Sequence, residues 1–281
     1  IPLPFTTMQT TANLWETLCQ DFEARRQGTS PDQYVAVAQA FVDSAKQILR
    51  PDSPRLCDAL EISGDVCQAC GRRTEAAATF EEALKTAQRI GAWISAARIA
   101  GKLAGLLDEA GELTRARETY ERAIEYYERI GDHSLHSQLL NSYASVCRRS
   151  GDASEAERSY KRAMEVAARI HGENHPEVAI AANNLGVAYT DANDFVSAEN
   201  LHMQALAIRE KCYGGMHPDV AQSLGNMAVV YHSQRDYDRA ENFYRAALDI
   251  YRRFRPSDDP EVVAVQANYD VLLGARPPAE A

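Results

Sequence analysis

Apolar and small residues recur along the chain at intervals of three and four, the spacing of one face of an α-helix. Ala182, Leu185, Gly186 and Tyr189 form one such stripe. Two neighbouring segments carry the same stripe, at Leu140, Tyr143, Ala144 and Cys147 and at Leu224, Met227, Ala228 and Tyr231. The pattern predicts helices that repeat along the chain at a nearly constant step.

Alanine sets the length of this repeat. Five alanines follow one another at steps of 40, 40, 42 and 42 residues, and another alanine lies seven residues after each: Ala76 and Ala83, Ala116 and Ala123, Ala156 and Ala163, Ala198 and Ala205, Ala240 and Ala247. A ring stands four residues after the first alanine of each pair, at Phe80, Tyr120, Tyr160, His202 and Tyr244. Small residues opposite large ones let helices interlock, so we expect tight contacts at these alanines. Arg209 is expected to be exposed.

The ends of the helices are also marked. Proline stands where helices should begin, because a first helical turn leaves its N–H groups unpaired: Pro31, Pro54, Pro176, Pro218 and Pro260. Ser30 is a candidate cap for the second helix. Glycine favours the left-handed conformation that follows a helix, and it marks a turn at Gly71, Gly111 and Gly151, with Asn193 and Arg235 in this place later. Each repeat is therefore predicted to be a pair of helices joined by a tight turn.

This pattern of small residues, rings and turns is similar to the tetratricopeptide repeat over residues 55–275. Residues 171–251 carry the motif HPxVAxxxxNxA/G…Y…AExxxxxAL and look like the 42-residue kinesin-light-chain subclass. The resemblance implies an all-α fold, a right-handed superhelical solenoid of antiparallel helix pairs with capping helices at both ends. It also implies that the first helix of each pair lies on the inner wall, where relatives bind peptides.

The register divides the chain into segments. We expect five repeats over residues 55–258, preceded by a capping helical hairpin over residues 8–54 and followed by a capping helix over residues 259–275. Residues 1–7 are interpreted as a remnant outside the fold or a disordered segment, and residues 276–281 as a disordered tail.

Composition narrows the class of partner. The 281-residue chain is 45% apolar, and its 40 acidic and 30 basic residues give it a net charge of −10. Nucleic-acid binding needs a basic surface, so this charge argues against it. No apolar run approaches the length of a membrane span, and six cysteines are too sparse for a disulfide framework. We therefore expect a cytoplasmic protein with neither a nucleic-acid nor a membrane partner.

Two clusters invite metal or redox chemistry. Cys67 and Cys70 lack the second pair that a zinc site needs and the βαβ context of a redox motif, so core packing is the favoured interpretation of Cys67. His171 and His175 flank a glycine-containing loop, where a role in the turn is favoured over metal binding. Neither a catalytic triad nor a phosphate-binding loop can be assigned. We expect no enzyme activity, no metal and no cofactor.

One column of the first helices becomes asparagine towards the end of the chain: Ile62, Lys102, Ser142, Asn184, Asn226 and Asn268. A carboxamide offers donors and an acceptor, and can hold the backbone of an extended peptide whatever its sequence. The alternative is a structural role, in which each asparagine bonds a carbonyl of the neighbouring helix. We also include Asn141 among the candidates for partner binding.

A second candidate feature is basic. Arg98 and Lys102 lie four residues apart on one helix face, and Arg148 ends the corresponding helix of the next repeat. Relatives that clamp a terminal carboxylate use lysine, arginine and asparagine in such columns. An acidic segment or a C-terminal carboxylate of the partner is one hypothesis for this feature, and scattered solvated charge is the other.

These observations support two functions. The first is a protein–protein interaction scaffold that binds an extended peptide or a helix of a partner in the groove of the solenoid. The alternative is a sensory or regulatory module that binds a small ligand or peptide and signals to an effector.

Overall fold

The computed structural model describes residues 5–26, 30–131 and 134–275, where the regular secondary structure is α-helix. The chain forms two compact units, residues 1–133 and residues 134–281. The amino-terminal unit holds α1 (Phe5–Arg26), α2 (Pro31–Ile48), α3 (Pro54–Ala69), α4 (Arg73–Arg89), α5 (Trp93–Glu109) and α6 (Leu113–Ile130). The carboxy-terminal unit holds α7 (Ser134–Arg149), α8 (Ala153–His171), α9 (Pro176–Asp191), α10 (Phe195–Tyr213), α11 (Pro218–Ser233), α12 (Tyr237–Phe254) and α13 (Pro260–Ala275).

Consecutive helices pack as pairs, as the repeat pattern predicts. The five pairs are α3 with α4, α5 with α6, α7 with α8, α9 with α10, and α11 with α12. Within each unit the second helix of a pair also packs against the first helix of the next pair, and α13 packs against α12 and α11. The prediction of an all-α array of helix pairs is confirmed.

The ends of the described chain extend the predicted segments slightly. Helix α1 begins at Phe5, so residues 5–7, which sequence analysis set aside, belong to a helix. Residues 1–4 and residues 276–281, the predicted tail, lie outside the described residues. The hairpin of α1 and α2 and the single helix α13 lie at the two ends of the predicted repeats.

The helix starts and turns follow the predicted chemistry. Ser30 caps α2 through a capping box with Gln33. His175 accepts a hydrogen bond at its Nδ1 from the backbone N–H of Glu177, which confirms its role in the turn, and His217 caps α11 in the same way. The turn position that holds glycine in the first three repeats keeps its left-handed backbone at Asn193 and Arg235, with φ of 61° and 63°.

The aligned small residues carry the helix contacts. All ten repeated alanines are fully buried. Two of the rings, Phe80 and His202, pack closely against a glycine of the first helix. A methyl group at Gly64 would lie 2.5 Å from Phe80, and one at Gly186 would lie 2.7 Å from His202.

We predict opposite effects for two glycine-to-alanine changes in the amino-terminal unit. Gly64→Ala should lower the free energy of unfolding by about 1–2 kcal/mol, because the buried Phe80 ring must move. Gly105→Ala meets only the Tyr120 hydroxyl at 3.6 Å, so the better helix propensity of alanine should raise it by up to about 1 kcal/mol. Urea denaturation of both variants measures this, and a rise in the free energy of unfolding for Gly64→Ala would show that the packing against Phe80 is loose.

Candidate partner-binding surface

The candidate asparagines lie on successive first helices of the carboxy-terminal unit. Asn141 is on α7, Asn184 on α9, Asn226 on α11 and Asn268 on α13. The first three are half-buried and Asn268 is exposed. Asn184, Asn226 and Asn268 follow one another at steps of 42 residues, so they occupy the same face of equivalent helices, and Asn141 lies one position before their equivalent on α7.

Two of these asparagines are joined to the preceding first helix by hydrogen bonds. Asn184 donates from Nδ2 to Oδ1 of Asn141 over 3.1 Å, and Asn226 donates in the same way to Oδ1 of Asn183 over 2.8 Å. We call the four asparagines that these two bonds join, Asn141, Asn183, Asn184 and Asn226, the asparagine ladder. Each bond uses one N–H of the carboxamide, so the other N–H and the carbonyl oxygen of Asn184 and Asn226 stay available to a ligand.

Asn183, which accepts one of the ladder bonds, is also hydrogen-bonded to the buried His202. Asn183 is only 3% exposed and has its Oδ1 3.2 Å from Nδ1 of His202, a residue that is 1% exposed. Because Oδ1 accepts, this bond needs the proton on Nδ1 and leaves Nε2 of His202 buried without a partner. Burial, and secondarily the charge of Arg209, lowers the pKa of His202 to about 4, so the imidazole is neutral at pH 7.

Asn268 differs from the other candidate asparagines. In the register of the ladder, its acceptor would be residue 225, and that residue is Gly225. Asn268 accordingly makes no hydrogen bond to any residue that the structure describes. Its whole carboxamide is therefore open to a ligand.

The predicted basic residues of the amino-terminal unit are engaged in ion pairs. Arg98 forms a bidentate pair with Glu61, at 2.6 and 2.7 Å, and Lys102 contacts both Glu61 and Asp65 at 2.7–2.8 Å. Burial opposes the ionisation of Glu61, yet its bonds to Arg98 and Lys102 outweigh that effect and lower its pKa. The two cations therefore already have carboxylate partners.

Arg148 is also paired. Its guanidinium donates to Asp191 of α9 over 2.6 Å, across to the next first helix. An acidic partner could bind these cations only by competing with carboxylates of the chain itself.

The expectation that Arg209 is exposed is wrong. Arg209 is only 4% exposed, and its guanidinium donates to the backbone oxygen of Asp219, the hydroxyl of Ser223 and the side chain of Gln222. These partners are neutral groups, and burial lowers the pKa of Arg209, although the nearby charge of Asp219 opposes this. Arg209 thus ties the end of α10 beneath α11.

Family comparison agrees with this architecture. The model of the tetratricopeptide repeat matches residues 55–129, 135–211 and 197–253, well over half of the chain. The chain belongs to the tetratricopeptide repeat family. The matched ranges cover nearly all of the five helix pairs from α3 to α12, together with Asn141, Asn184 and Asn226 of the ladder.

Solved tetratricopeptide structures are similar over most of this chain. BtubC (BKLC) from P. vanneervenii is 26% identical with a TM-score of 0.68, over 90% of this chain and 96% of that one. A protein of Podosopora anserina described as a kinesin light chain is 18% identical with a TM-score of 0.60, over 72% and 98%. A Rap protein complexed with competence and sporulation factor is 14% identical with a TM-score of 0.63, over 97% and 73%. The last two show the fold alone, and no curated protein sequence matches the chain.

The other predicted clusters are parts of the tetratricopeptide framework. Cys67 is buried in the stripe of α3, and burial raises the pKa of its thiol, which disfavours the thiolate that metal binding needs. His171 and His175 stack on each other at 4.3 Å between centroids. In the described part of the chain, no three potential metal-binding side chains come together, and no helix is long and apolar enough to cross a membrane.

Proposed function

We propose that this protein is a non-catalytic, cytoplasmic interaction scaffold. The surface formed by α7, α9, α11 and α13 binds an extended peptide or a helix of a partner protein. The observation that carries the proposal is the asparagine ladder, because its bonds hold Asn184 and Asn226 in place and leave one N–H and the carbonyl oxygen of each carboxamide unused. An ordered row of donors and acceptors can bond a partner backbone at little cost in side-chain entropy.

We further propose that the repeats belong to the kinesin-light-chain-like subclass. The 42-residue spacing of His175-Pro176 and His217-Pro218 supports this assignment, as does the similarity to BtubC (BKLC). The subclass concerns the form of the repeat, and it carries no partner across to this chain.

An acidic segment or a C-terminal carboxylate of the partner would bind at Arg98, Lys102 or Arg148. It would have to displace Glu61, Asp65 or Asp191 from ion pairs shorter than 3 Å. We therefore expect Arg98→Ala or Lys102→Ala to change partner binding less than changes in the asparagine ladder do.

Asn268 allows a test that leaves folding untouched. Asn268→Ala should weaken binding of the partner about fivefold, the equivalent of about 1 kcal/mol for one neutral hydrogen bond. Because Asn268 is exposed and bonds to no described residue, its free energy of unfolding should change by less than about 0.5 kcal/mol. The matched control is Asn242→Ala, at an exposed asparagine of α12.

The measurement has two steps. Proteins captured from a lysate of the source cells by wild type, Asn268→Ala and Asn242→Ala are first compared by mass spectrometry. The affinity of the protein whose capture depends on Asn268 is then measured by calorimetry. A folded Asn268→Ala protein that retains every partner at wild-type affinity contradicts the proposal, and binding of a small ligand instead supports the sensory alternative.

A further inference from the structure

A second column runs beside the asparagines on the same three helices. Val187, Val229 and Val271 each follow an asparagine of the column by three residues, so each lies one helical turn further along the same face. Val187 and Val229 are half-buried and Val271 is 63% exposed. We call these three valines, with Asn184, Asn226 and Asn268, the Asn–Val surface.

The Asn–Val surface carries no charge, although a quarter of the chain consists of charged residues. The residue one turn before each asparagine is also uncharged: Ile180, Gln222 and Ala264. Carboxylates stand at the amino-terminal ends of the three helices, at Glu177, Asp219 and Glu261. A negatively charged partner would lose its hydration here and meet like charges at the rim, so the chemistry favours an uncharged partner.

The distance between neighbouring first helices sets the spacing at which side chains of a partner can meet successive valines. The bonds of the asparagine ladder show that neighbouring first helices touch, and the axes of packed helices lie about 8–10 Å apart. One turn of polyproline II, three residues, advances about 9 Å and returns to the same face. A β-strand returns to the same face after about 7 Å, which does not fit this step.

The asparagines also distinguish polyproline II from an α-helix. Two turns of an α-helix advance about 11 Å, but its backbone groups are already bonded to one another. A polyproline II segment has no internal hydrogen bonds, so its carbonyl oxygens and any N–H groups can pair with carboxamides. Polyproline II is therefore the conformation whose repeat and free backbone groups match the asparagine and valine columns together.

We propose that the Asn–Val surface binds an uncharged polyproline II segment with an apolar side chain at every third residue. The proposal rests on the function proposed above, and it names the class of partner. The asparagines bond the backbone of the segment, and each valine contacts one apolar side chain. Three helices accommodate three triplets of the segment.

The test compares three synthetic peptides with blocked ends, each labelled for fluorescence anisotropy. The first contains three Val-Pro-Ser triplets. The second has the same composition with its three valines adjacent, and the third replaces each serine of the first by aspartate. We expect the triplet peptide to bind at least about tenfold more tightly than either of the others.

Two variants of the protein complete the test. Val271→Asp should weaken the triplet peptide by at least about tenfold, whereas Val196→Asp, at a valine 73% exposed on α10, should leave it unchanged. Equal binding of the triplet and scrambled peptides, or no binding of the triplet peptide, would overturn this inference. The Asn268→Ala test with the native partner is separate, so the scaffold proposal can stand when the inference fails.

Discussion

In urea, the variant Ala198→Leu is expected to unfold at a lower midpoint than the wild-type protein. Ala198 is fully buried in α10, at the position where alanine recurs in every repeat. The longer side chain would force the helices of this pair apart, at a cost of about 1–3 kcal/mol. Protein interiors are too closely packed to absorb three extra carbons without movement.

The control for this variant is the same substitution on the same helix. Ala207→Leu adds an identical side chain at an exposed position of α10, and its free energy of unfolding should stay within about 0.5 kcal/mol of wild type. Circular dichroism in urea measures both variants. Equal midpoints would show that the alanine column does not mark the contacts between helices.

Acidification is expected to destabilise the protein through His202. Its pKa is about 4 in the folded protein and 6.5 when the group is free, so the unfolded chain takes up the proton first. The stability that neutral His202 contributes is complete above pH 6.5 and is lost as the pH falls towards 4. The loss over this interval is about 3 kcal/mol.

The variant His202→Tyr isolates this contribution. Tyrosine occupies this position in three other repeats, so we expect the site to accept a phenol ring. The difference in free energy of unfolding between pH 7 and pH 4 should therefore be about 3 kcal/mol smaller in the variant. Glu61, with its lowered pKa, adds an acid dependence that both proteins share. Parallel stability curves for the two proteins would refute the role of His202.

The helix pairs could be predicted from the sequence, because the same packing pattern occurs in each repeat. Ala76, Phe80 and Ala83 have equivalents in every later repeat, and an error in one repeat would have been visible in the others. The turn at Arg235 shows the strength of this evidence, since the residue type disfavours a left-handed backbone and the register requires it.

Arg209 was predicted to be exposed because arginine is usually a surface residue, although its position in the repeat indicated burial. Its equivalents in the other repeats are Ala87, Tyr127, Ala167 and Tyr251, and all of them are buried. The column therefore contained the signal that this arginine lies inside the protein. What the column could not supply was the set of neutral partners on α11 that makes the burial possible.

The ion pairs and the bonds of the asparagine ladder could not be predicted from the sequence for a different reason. Lys102 and Glu61 are 41 residues apart, and Asn184 and Asn141 are 43 apart, so neither pair is visible within one helix. Their contacts depend on how far one first helix is displaced along the next. The register aligns equivalent residues, but Lys102 bonds Glu61, and Asn184 bonds Asn141, one position away from equivalence.

The bonds of the asparagine ladder join residues only 43 positions apart, and each helix of the carboxy-terminal unit packs against its near neighbours along the chain. Folding of this unit therefore needs no closure of long loops, and it can begin at any helix pair and spread to the next. The same arrangement makes stability local. Among the described helices, α13 packs against α11 and α12, whereas α9 and α11 pack against helices that precede and follow them, so α13 should exchange its amide hydrogens before α9 and α11 do.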